Sequence, residues 1–390
     1  MPPKKKEEVP KTVILGRPGA SLKMGVVGLP NVGKSSFFNL LTKQNVPAEN
    51  FPFCTIDPHM AKVALPDPRY DELCAIFKPK SEVPAMLQIT DIAGLVKGAA
   101  EGQGLGNAFM SHISAVDGIF HMIRAFDDAM ISHVEGEVDP IRDLEIIFNE
   151  LVKKDLETVE TTISKVKPIV ARGIDKTQNA NLDHLLKVKQ VLLDGKQIRC
   201  MQWTSKEIEY LNTIQLLTAK PASFLVNLSE KDLLRKKNKY LPKIKQWIDE
   251  QTGETMIPFS VELEQKLFDM PDAEAKAFCA ENACKSLLPR IITEAYHCIN
   301  LMHFFTAGED EVKCWTVQRG VKAPQAAGRI HTDMENGFIC AEVVHWCDFE
   351  KIKDLSECKE TGKLRQEGKT YEVLDGDILH FRFNTSKGKK

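Results

Sequence analysis

The sequence contains no C-x-x-C pair and no uninterrupted apolar run long enough for a membrane span. Its ten cysteines lie at irregular positions, a pattern that favours neither a zinc site nor a secreted disulfide framework. The N-terminus, MPPKKKEEVPK, is charged and has no apolar segment, which argues against a secretory signal. We therefore expect no membrane partner and a reducing, cytoplasmic location, with the nucleus left open as a second compartment.

A strong excess of one charge is also absent. The 52 basic and 54 acidic residues nearly cancel, which argues against a protein that coats nucleic acid over its whole surface. Local basic segments remain at Lys4–Lys6, Lys231–Lys245 and Lys387–Lys390. Such runs are typical of solvated faces and tails, and a site for an anionic partner is the alternative.

The chain does have a long alternation of strand-like and helix-like segments. LKMGVVG, AMLQIT, GIFHMIRAF, ASFLVNL and TMIPFS are apolar runs of strand length, and helical patterns lie between most of them. This alternation predicts a parallel α/β sheet, because parallel strands need crossover connections. A length of 390 residues leaves room for two or three domains.

Two segments depart from this alternation. Between 139 and 205, apolar residues recur at helical spacing on both sides of a polar break at 172–181. This pattern predicts two amphipathic helices packed as an antiparallel hairpin. From 303 onward, KCWTVQRG, GFICAEVV and DGDILHFRF are short strand-like runs bounded by Gly and Asp-Gly turns, which indicates a small mixed α+β domain.

GLPNVGKS, from Gly28 to Ser35, fits the phosphate-binding pattern G-x-x-x-x-G-K-[ST] between a strand and a helix. The two glycines let backbone N–H groups turn toward phosphate oxygens. Lys34 would bring a positive charge to the β- and γ-phosphates, and the Ser35 hydroxyl would bind Mg²⁺. The candidate nucleotide-binding residues of this loop are Asn31, Val32, Gly33, Lys34, Ser35 and Ser36.

Further segments fall at the ends of the other predicted strands. In DIAG, the Asp91 carboxylate can hold a metal-bound water and the Gly94 N–H can meet the γ-phosphate. Thr55 in NFPFCTI can bring a second hydroxyl to the metal, and VNLSE and PFS follow the last two strands, where the base would lie. Ligands of open α/β sheets bind at the carboxyl ends of the strands, so these segments predict one site.

Together GLPNVGKS, ENFPFCTIDP, DIAGLVKGA, GQGLGNAF and NLSEKD resemble the Obg-like ATPases, the YchF-type branch of the translation-factor-related P-loop GTPases. The resemblance runs from residue 22 to residue 386. It implies an α/β P-loop G domain with a helical coiled-coil insertion and a C-terminal TGS domain of β-grasp fold. The implied bounds are 1–20 for a flexible basic tail, 21–138 and 207–302 for the G domain, 139–206 for the helical arm, 303–386 for the TGS domain and 387–390 for a second basic tail.

The resemblance implies ATP hydrolysis by a fold whose relatives prefer GTP. The guanine-reading motif is normally Asn-Lys-x-Asp, in which the Asp accepts two hydrogen bonds from guanine, whereas this chain has Asn227-Leu228-Ser229-Glu230. Glu230 is longer by one methylene, about 1.5 Å. The Asn227 amide can pair with adenine N6 and N7, and the Leu228 main chain can also bind the base. Dual specificity for ATP and GTP stays the alternative. The candidate base contacts are Asn227, Leu228 and Ser260.

Leu95 stands where many relatives carry a Gln that orients the attacking water, so we expect slow hydrolysis unless another group reaches the site. The resemblance points to His133, in MISHVEGEVDP, and the alternative is a loop histidine that packs or is solvated. Asn31 resembles the K⁺-binding asparagine of potassium-activated relatives. A local turn hydrogen bond from Asn31 is the alternative.

We therefore expect a Mg²⁺-dependent ATPase that acts as a nucleotide-controlled switch. The expected catalytic residues are His133, Lys34 and Gly94, and the expected metal ligands are Ser35, Thr55 and Asp91. The resemblance also implies the ribosome or a ribosomal subunit as a partner, with Arg319, Lys322, Arg329 and His331 as a candidate basic edge. The alternatives are a GTP-specific ribosome-associated GTPase and a nucleotide-dependent binding scaffold with incidental hydrolysis, which Leu95 favours.

Overall fold

The structure is a computed structural model that describes residues 15–16, 23–43, 60–92, 94, 105–173 and 177–384, with the side chains of 105–108 excepted. These residues form two compact units. The helical unit contains Phe148–Lys220, and the main unit contains the described parts of Gly19–Ile147 and Pro221–Lys390. The nucleotide-site residues predicted from the sequence belong to the main unit.

The first sheet of the main unit is a six-stranded α/β sheet with the order β2-β4-β1-β5-β6-β7. Its strands are β1 (Lys23–Val27), β2 (Met60–Ala64), β4 (Met86–Asp91), β5 (Gly118–Arg124), β6 (Ala222–Asn227) and β7 (Met256–Phe259), while β3 (Ser81–Val83) lies elsewhere. Neighbouring strands are parallel except for β2, which is antiparallel to β4. Every residue of β5 and β6 is buried, as expected for central parallel strands covered on both faces.

The helices of the main unit begin where the sequence supplies capping side chains. Asp67 caps the helix that starts with Pro68, and Ser229 and Ser260 cap two later helices, so N–H groups at these helix ends are hydrogen-bonded. The helices that connect the strands of the first sheet or follow its last strand are α1 (Lys34–Lys43), α2 (Pro68–Phe77), α3 (Leu105–Ser114), α7 (Glu230–Leu234), α8 (Leu241–Gln251), α9 (Val261–Asp269), α10 (Asp272–Glu281) and α11 (Leu288–Cys298).

The second sheet of the main unit has the order β11-β10-β12-β8-β9-β3. Its strands from the C-terminal part are β8 (Leu301–Ala307), β9 (Glu311–Gln318), β10 (Phe338–Val344), β11 (Arg365–Glu367) and β12 (Ile378–Phe383), with α12 (Ala323–Ile330), α13 (Thr332–Asn336), α14 (Trp346–Ile352) and α15 (Leu355–Glu360) between them. Phe304, Phe338 and Phe381 lie in its apolar core together with the small residues of α12. This arrangement matches the small mixed domain predicted from 303 onward.

Strand β3 comes from the first quarter of the chain and extends this second sheet. It pairs in parallel with β9, with Ser81 opposite Glu311. Because β3 immediately precedes β4 of the first sheet, the two sheets are covalently joined at this point. The short SEV segment gave no strand signal of its own, so this pairing depends on the β9 edge that it meets.

The helical unit is built around a long helix pair. Its helices are α4 (Pro140–Ala171), which begins in the main unit, α5 (Thr177–Leu193) and α6 (Ser205–Ile214). Val159, Leu185 and Val188 are fully buried in a core shared by these helices, and Lys189 pairs with Glu160 at 2.7 Å. The predicted helical hairpin is confirmed. The compact unit also takes in α6, because Leu211 and Leu216 are buried in the same core.

The predicted α/β sheet and C-terminal mixed domain are likewise confirmed, while the exact domain bounds stay predictions. The basic tails lie outside the described residues, apart from Leu15 and Gly16 of the first. Within the described ranges, every helix is too short or too polar to cross a bilayer.

Candidate nucleotide-binding site

The phosphate loop connects the end of β1 to the start of α1. A Cβ at Gly28 would lie 2.5 Å from the Met122 carbonyl oxygen, and a Cβ at Gly33 would lie 2.5 Å from Asn227 Nδ2. Gly33 also has φ of +104°, which side-chain-bearing residues rarely adopt. Both positions therefore require glycine, as the motif predicts.

Lys34 is almost removed from water although it carries a charge. Only 7% of the residue is exposed, and its Nζ donates to the Leu29 carbonyl oxygen at 2.7 Å. Burial lowers the pKa of Lys34 to about 8, although the nearby Asp91 acts in the opposite direction. A Cβ at Gly94 would lie 3.2 Å from the same Nζ. The structure thus brings Gly94 to the phosphate loop, as the sequence predicted.

Ser35 and Asp91 meet at the predicted metal position. The Ser35 hydroxyl donates to Asp91 Oδ2 at 3.1 Å, and Asp91 Oδ1 is buried without a hydrogen-bond partner. A hydroxyl and a carboxylate with a free oxygen fit Mg²⁺, which prefers oxygen ligands and takes several of them from phosphates and water. No cluster of three His, Cys, Asp or Glu side chains occurs among the described residues. Thr55 and Leu95 lie outside the described residues.

A cavity of about 1110 Å³ opens beside this loop. It is large enough for a nucleotide-sized ligand. Its walls come from the phosphate loop and α1, the segment after β5, the end of β6 and the start of α9. The lining residues are Asn31, Gly33, Ser36, Asn39, Thr42, Lys43, Phe126, Asp127, Asp128, Ile131, Asn227, Leu228, Ser229, Val261, Glu262 and Gln265.

Asn227 lines this cavity and is hydrogen-bonded to the phosphate loop and to the start of α9. Its Nδ2 donates to the Val32 carbonyl oxygen at 3.0 Å, and its Oδ1 accepts from the Val261 N–H at 3.1 Å. An amide has two donor hydrogens and two acceptor lone pairs, so one of each remains after these bonds. The predicted pairing of Asn227 with a base stays a prediction.

The contacts of Leu228 and Ser260 differ in part from the base contacts expected from the sequence. The Leu228 N–H donates to the Phe259 carbonyl oxygen at 2.8 Å, so this N–H is not free for a base and a main-chain contact would have to use the carbonyl oxygen. Ser260 is fully buried and its hydroxyl caps α9 by accepting from the Leu263 N–H at 3.3 Å. It is absent from the described lining, because capping turns its side chain into α9.

The Glu230 carboxylate pairs with a lysine of α9. Its Oε1 accepts from Lys266 Nζ at 2.6 Å, and its own N–H donates to Glu262 Oε2 at 3.1 Å. Glu262 contributes to the cavity wall, whereas Glu230 is absent from the described lining. The acidic side chain that the motif comparison singled out is therefore held by a lysine of α9.

His133 is buried beside the start of α4. Its Nε2 lies 2.9 Å from Asp143 Oδ2, and its Nδ1 accepts from the Glu135 N–H at 3.1 Å. Since Nδ1 accepts, the bond to Asp143 places the proton on Nε2. Burial raises the pKa of Asp143, although His133 acts to lower it. In this arrangement both ring nitrogens are occupied, so water activation by His133 requires it to leave Asp143 first.

The segment before His133 contacts the phosphate loop. Asn31, which has φ of +61°, donates from Nδ2 to the Ser132 carbonyl oxygen at 3.2 Å. This bond crosses between two loops and differs from the local turn bond considered for Asn31. The Asn31 amide oxygen is the atom that the K⁺ hypothesis would use.

Comparisons with known proteins agree with this geometry. A family model described as a 50S ribosome-binding GTPase matches residues 23–170, and the model for the C-terminal domain of YchF GTPases matches residues 301–384. Proteins named Obg-like ATPase 1 from Oryza sativa subsp. japonica and Homo sapiens are 57% and 53% identical to this chain, over 100% of both chains in each case. The chain belongs to the Obg-like ATPase family.

A solved structure supports the same family. The YchF GTPase of Schizosaccharomyces pombe has a TM-score of 0.87 and 50% identity, covering 95% of this chain and 100% of that one. The predicted P-loop G domain is thus confirmed, and the C-terminal segment, for which a TGS domain was expected, matches the YchF C-terminal model. As an Obg-like protein with an intact phosphate loop, the chain is a P-loop nucleoside triphosphatase.

Sequence reasoning missed several residues that shape the site of this Obg-like protein. Lys266 and Glu262 lie on α9, more than 30 positions from the motif that they contact. Arg124 ends β5 and is buried, with 1% of the residue exposed. A charged residue inside the apolar run GIFHMIRAF was the signal that could have identified it.

Proposed function

We propose that this Obg-like protein hydrolyses ATP to ADP and phosphate in preference to GTP, with Mg²⁺. The observation that carries this proposal is the Glu230–Lys266 pair, with Oε1 and Nζ 2.6 Å apart. Guanine presents N1–H and N2–H₂ donors that need a carboxylate acceptor, and the pair keeps the Glu230 carboxylate away from that edge. A charge-assisted hydrogen bond contributes about 1.5–3 kcal/mol, so the loss of two weakens GTP binding strongly.

A GTP preference is the second candidate, and Glu262 is the observation that favours it. Its carboxylate lines the cavity and could accept from the guanine edge in place of Glu230. One of its oxygens already accepts from the Glu230 N–H at 3.1 Å. That bond leaves Glu262 less able to serve as a two-oxygen acceptor, which is why ATP remains the preferred substrate.

Calorimetric titration of one preparation with MgATP and MgGTP tests the two candidates. We expect ATP to bind at least about tenfold more tightly than GTP, about 1.4 kcal/mol. Lys266→Met should reduce the difference between the ATP and GTP affinities, because it releases the Glu230 carboxylate from its ion pair. Tighter GTP binding by the wild type, abolished in Glu262→Gln, would establish the GTP candidate instead.

For hydrolysis we propose roles for the candidate site residues. Mg²⁺ would supply positive charge to the phosphate oxygens, and Ser35, Asp91 and Thr55 would hold it. Lys34 and the Gly94 N–H stabilise negative charge on the γ-phosphate, and His133, once released from Asp143, orients water. A His133→Ala variant with unchanged turnover would favour the alternative of a binding scaffold with incidental hydrolysis. The same assay with K⁺ replaced by Na⁺ tests the role of Asn31.

We further propose a nucleotide-dependent association with the ribosome or a ribosomal subunit in the cytoplasm, with the nucleus as a second location. The support is the family resemblance and the match to a model described as a 50S ribosome-binding GTPase. The candidate basic edge at Arg319, Lys322, Arg329 and His331 belongs to this proposal. Cosedimentation with ribosomal subunits that is equal with ATP, with ADP and without nucleotide would contradict a switch.

A further inference from the structure

We propose that Arg124 is a positioning residue that builds one wall of the nucleobase pocket. The proposal rests on the proposed function, because it assumes that the cavity beside the phosphate loop receives the base of a nucleotide. The wall in question is the segment 126–132, which we call the pocket loop. It follows β5 after one residue, Ala125, and supplies Phe126, Asp127, Asp128 and Ile131 to the cavity lining.

The Arg124 guanidinium lies beneath the pocket loop and bonds to four of its carbonyl oxygens. Nε donates to Phe126 O at 3.2 Å. Nη1 donates to Ser132 O at 3.4 Å, and Nη2 donates to Asp128 O at 3.3 Å and Ile131 O at 3.0 Å. One side chain thus gathers the carbonyl groups of the first and last residues of the loop and of two between them.

These bonds determine what the loop presents to the cavity. The four carbonyl groups that point inward to the buried guanidinium cannot also point into the pocket. The Phe126 ring centre lies 4.7 Å from the guanidinium carbon, within the range of a cation–π contact. That contact fixes the ring of Phe126, a cavity-lining residue, at the start of the pocket loop.

The pocket loop is also fastened to both neighbouring parts of the nucleotide site. Its last carbonyl, that of Ser132, accepts from Asn31 of the phosphate loop at 3.2 Å. Just before the loop, the Ala125 N–H donates to the Asn227 carbonyl oxygen at 2.9 Å, and Arg124 lies opposite Asn227 in the β5–β6 pairing. Arg124 therefore sets the position of the loop between the phosphate-binding and base-binding elements.

The choice of arginine has a physical reason. Burying a charge costs free energy, and the described hydrogen bonds of Arg124 are all to carbonyl dipoles and none to a carboxylate. The planar guanidinium presents donors in fixed directions that reach several acceptors at once, whereas a lysine offers a single ammonium centre. A purely apolar side chain would fill the space but leave the loop carbonyls without donors.

Binding of MgATP and of Mg-tripolyphosphate to Arg124→Met and Arg124→Lys tests the proposal. Tripolyphosphate reports on the phosphate loop alone, so a defect confined to the base pocket should spare it. We expect Arg124→Met to bind MgATP at least about tenfold more weakly and tripolyphosphate within about twofold of the wild type. Arg124→Lys should lie between, and KM for ATP should rise with kcat nearly unchanged.

Arg142→Met is the matched control. Arg142 also donates to loop carbonyls, those of Glu135 and Glu137, and to Asp143 Oδ1 at 3.3 Å, but none of these acceptors belongs to the described cavity lining. We expect its ATP and tripolyphosphate affinities to stay within about twofold of the wild type.

Equal ATP affinities for the wild type and Arg124→Met would overturn the inference, and so would parallel losses of ATP and tripolyphosphate affinity. If Arg124→Met does not fold, Arg124→Lys decides by the same comparison. A wild type that binds MgATP no better than tripolyphosphate has no base pocket. In that case the proposed function fails together with the inference, and this result is visible before any variant is made.

Discussion

At the scale of single residues, Lys34 shows how the phosphate loop prepares a cation for an anionic ligand. Its pKa is lowered from 10.5 to about 8 chiefly by burial, with Asp91 acting in the opposite direction. The charged form is therefore less stable in the free protein than in water. Phosphate oxygens placed beside Nζ restore the charged form, so nucleotide binding and protonation of Lys34 favour each other.

We predict that the protein takes up a proton when MgATP binds at pH 8.5. At that pH a group of pKa 8 is only about one-quarter protonated, whereas bound phosphates keep it charged. The uptake should be small at pH 7, and affinity for MgATP should fall as the pH rises through about 8. Calorimetry in two buffers of different ionisation enthalpy measures the proton number directly.

Lys34→Arg is the matched variant for this measurement. Arginine stays protonated over the whole pH range, so its binding should show no proton uptake at pH 8.5. Equal uptake by the wild type and by this variant would assign the proton to another group.

At the scale of elements, α4 carries a buried carboxylate whose bonds hold the helical unit together. Asp155 accepts from the Leu217 N–H at 2.7 Å and from the Thr218 N–H at 2.8 Å and hydroxyl at 2.6 Å. Burial raises its pKa from 3.8 to about 6, although these donors act to lower it. Helix α4 is thus joined to the segment before β6 by a group with a pKa of about 6.

We predict that Asp155 makes the helical unit less stable as the pH rises. A raised pKa in the folded state contributes stability that is complete below 3.8 and is lost as the pH passes about 6. The free energy of unfolding of the wild type, relative to Asp155→Asn, should fall by about 2 kcal/mol between pH 4 and pH 7.

Urea unfolding followed by circular dichroism measures this difference. Asp194→Asn is a control in the same unit, because Asp194 is exposed and its carboxylate accepts from Gln190 Nε2 at 2.7 Å. If the free energy of unfolding of the wild type rises relative to that of Asp155→Asn between pH 4 and pH 7, the pKa of Asp155 is not raised in the folded protein.

At the scale of the whole molecule, the two sheets of the main unit are joined by a buried polar cluster. Asp67, the cap of α2, accepts from Arg69 Nη2 and from His303 Nε2 of β8, each at 2.7 Å. Arg69 Nη1 also pairs with Asp375 Oδ2 at 3.2 Å. Burial acts to raise the pKa of Asp67, but the hydrogen bonds from His303 and Arg69 together hold that pKa well below its usual range.

We predict that Asp67→Asn weakens the main unit at neutral pH by about 3 kcal/mol, because it leaves buried donors facing an amide. The lowered pKa means that the contribution of Asp67 is present above 3.8 and is lost as the pH falls through its folded value. The variant should therefore lose less stability than the wild type on acidification below pH 4. Urea unfolding at several pH values checks both statements.

Asp310→Asn is the matched control for this prediction. Asp310 also forms an ion pair, with Lys80 at 2.8 Å, but both side chains are more than 80% exposed. Its loss should change the free energy of unfolding by less than about 1 kcal/mol. Similar effects of the two substitutions would show that burial of the Asp67 cluster does not matter.

The sequence by itself determined the features that depend on neighbouring residues. Gly28 to Ser35 form a phosphate loop because the glycines, the lysine and the hydroxyl act within one turn of chain. The helical pair followed from apolar spacing along α4 and α5, and the α/β sheet followed from alternating strand and helix patterns. Such signals are local, so they can be read without knowing what packs against them.

Tertiary structure alone decided the contacts that join distant segments. The Glu230 partner is Lys266, the four acceptors of Arg124 lie on a loop that folds back over it, and His133 turns to Asp143. Strand β3 joins the second sheet because the β9 edge lies beside it. A sequence contains many opposite charges that could pair with a given charged side chain. Which of them pairs with it depends on distance and burial, which are defined only once the chain is folded.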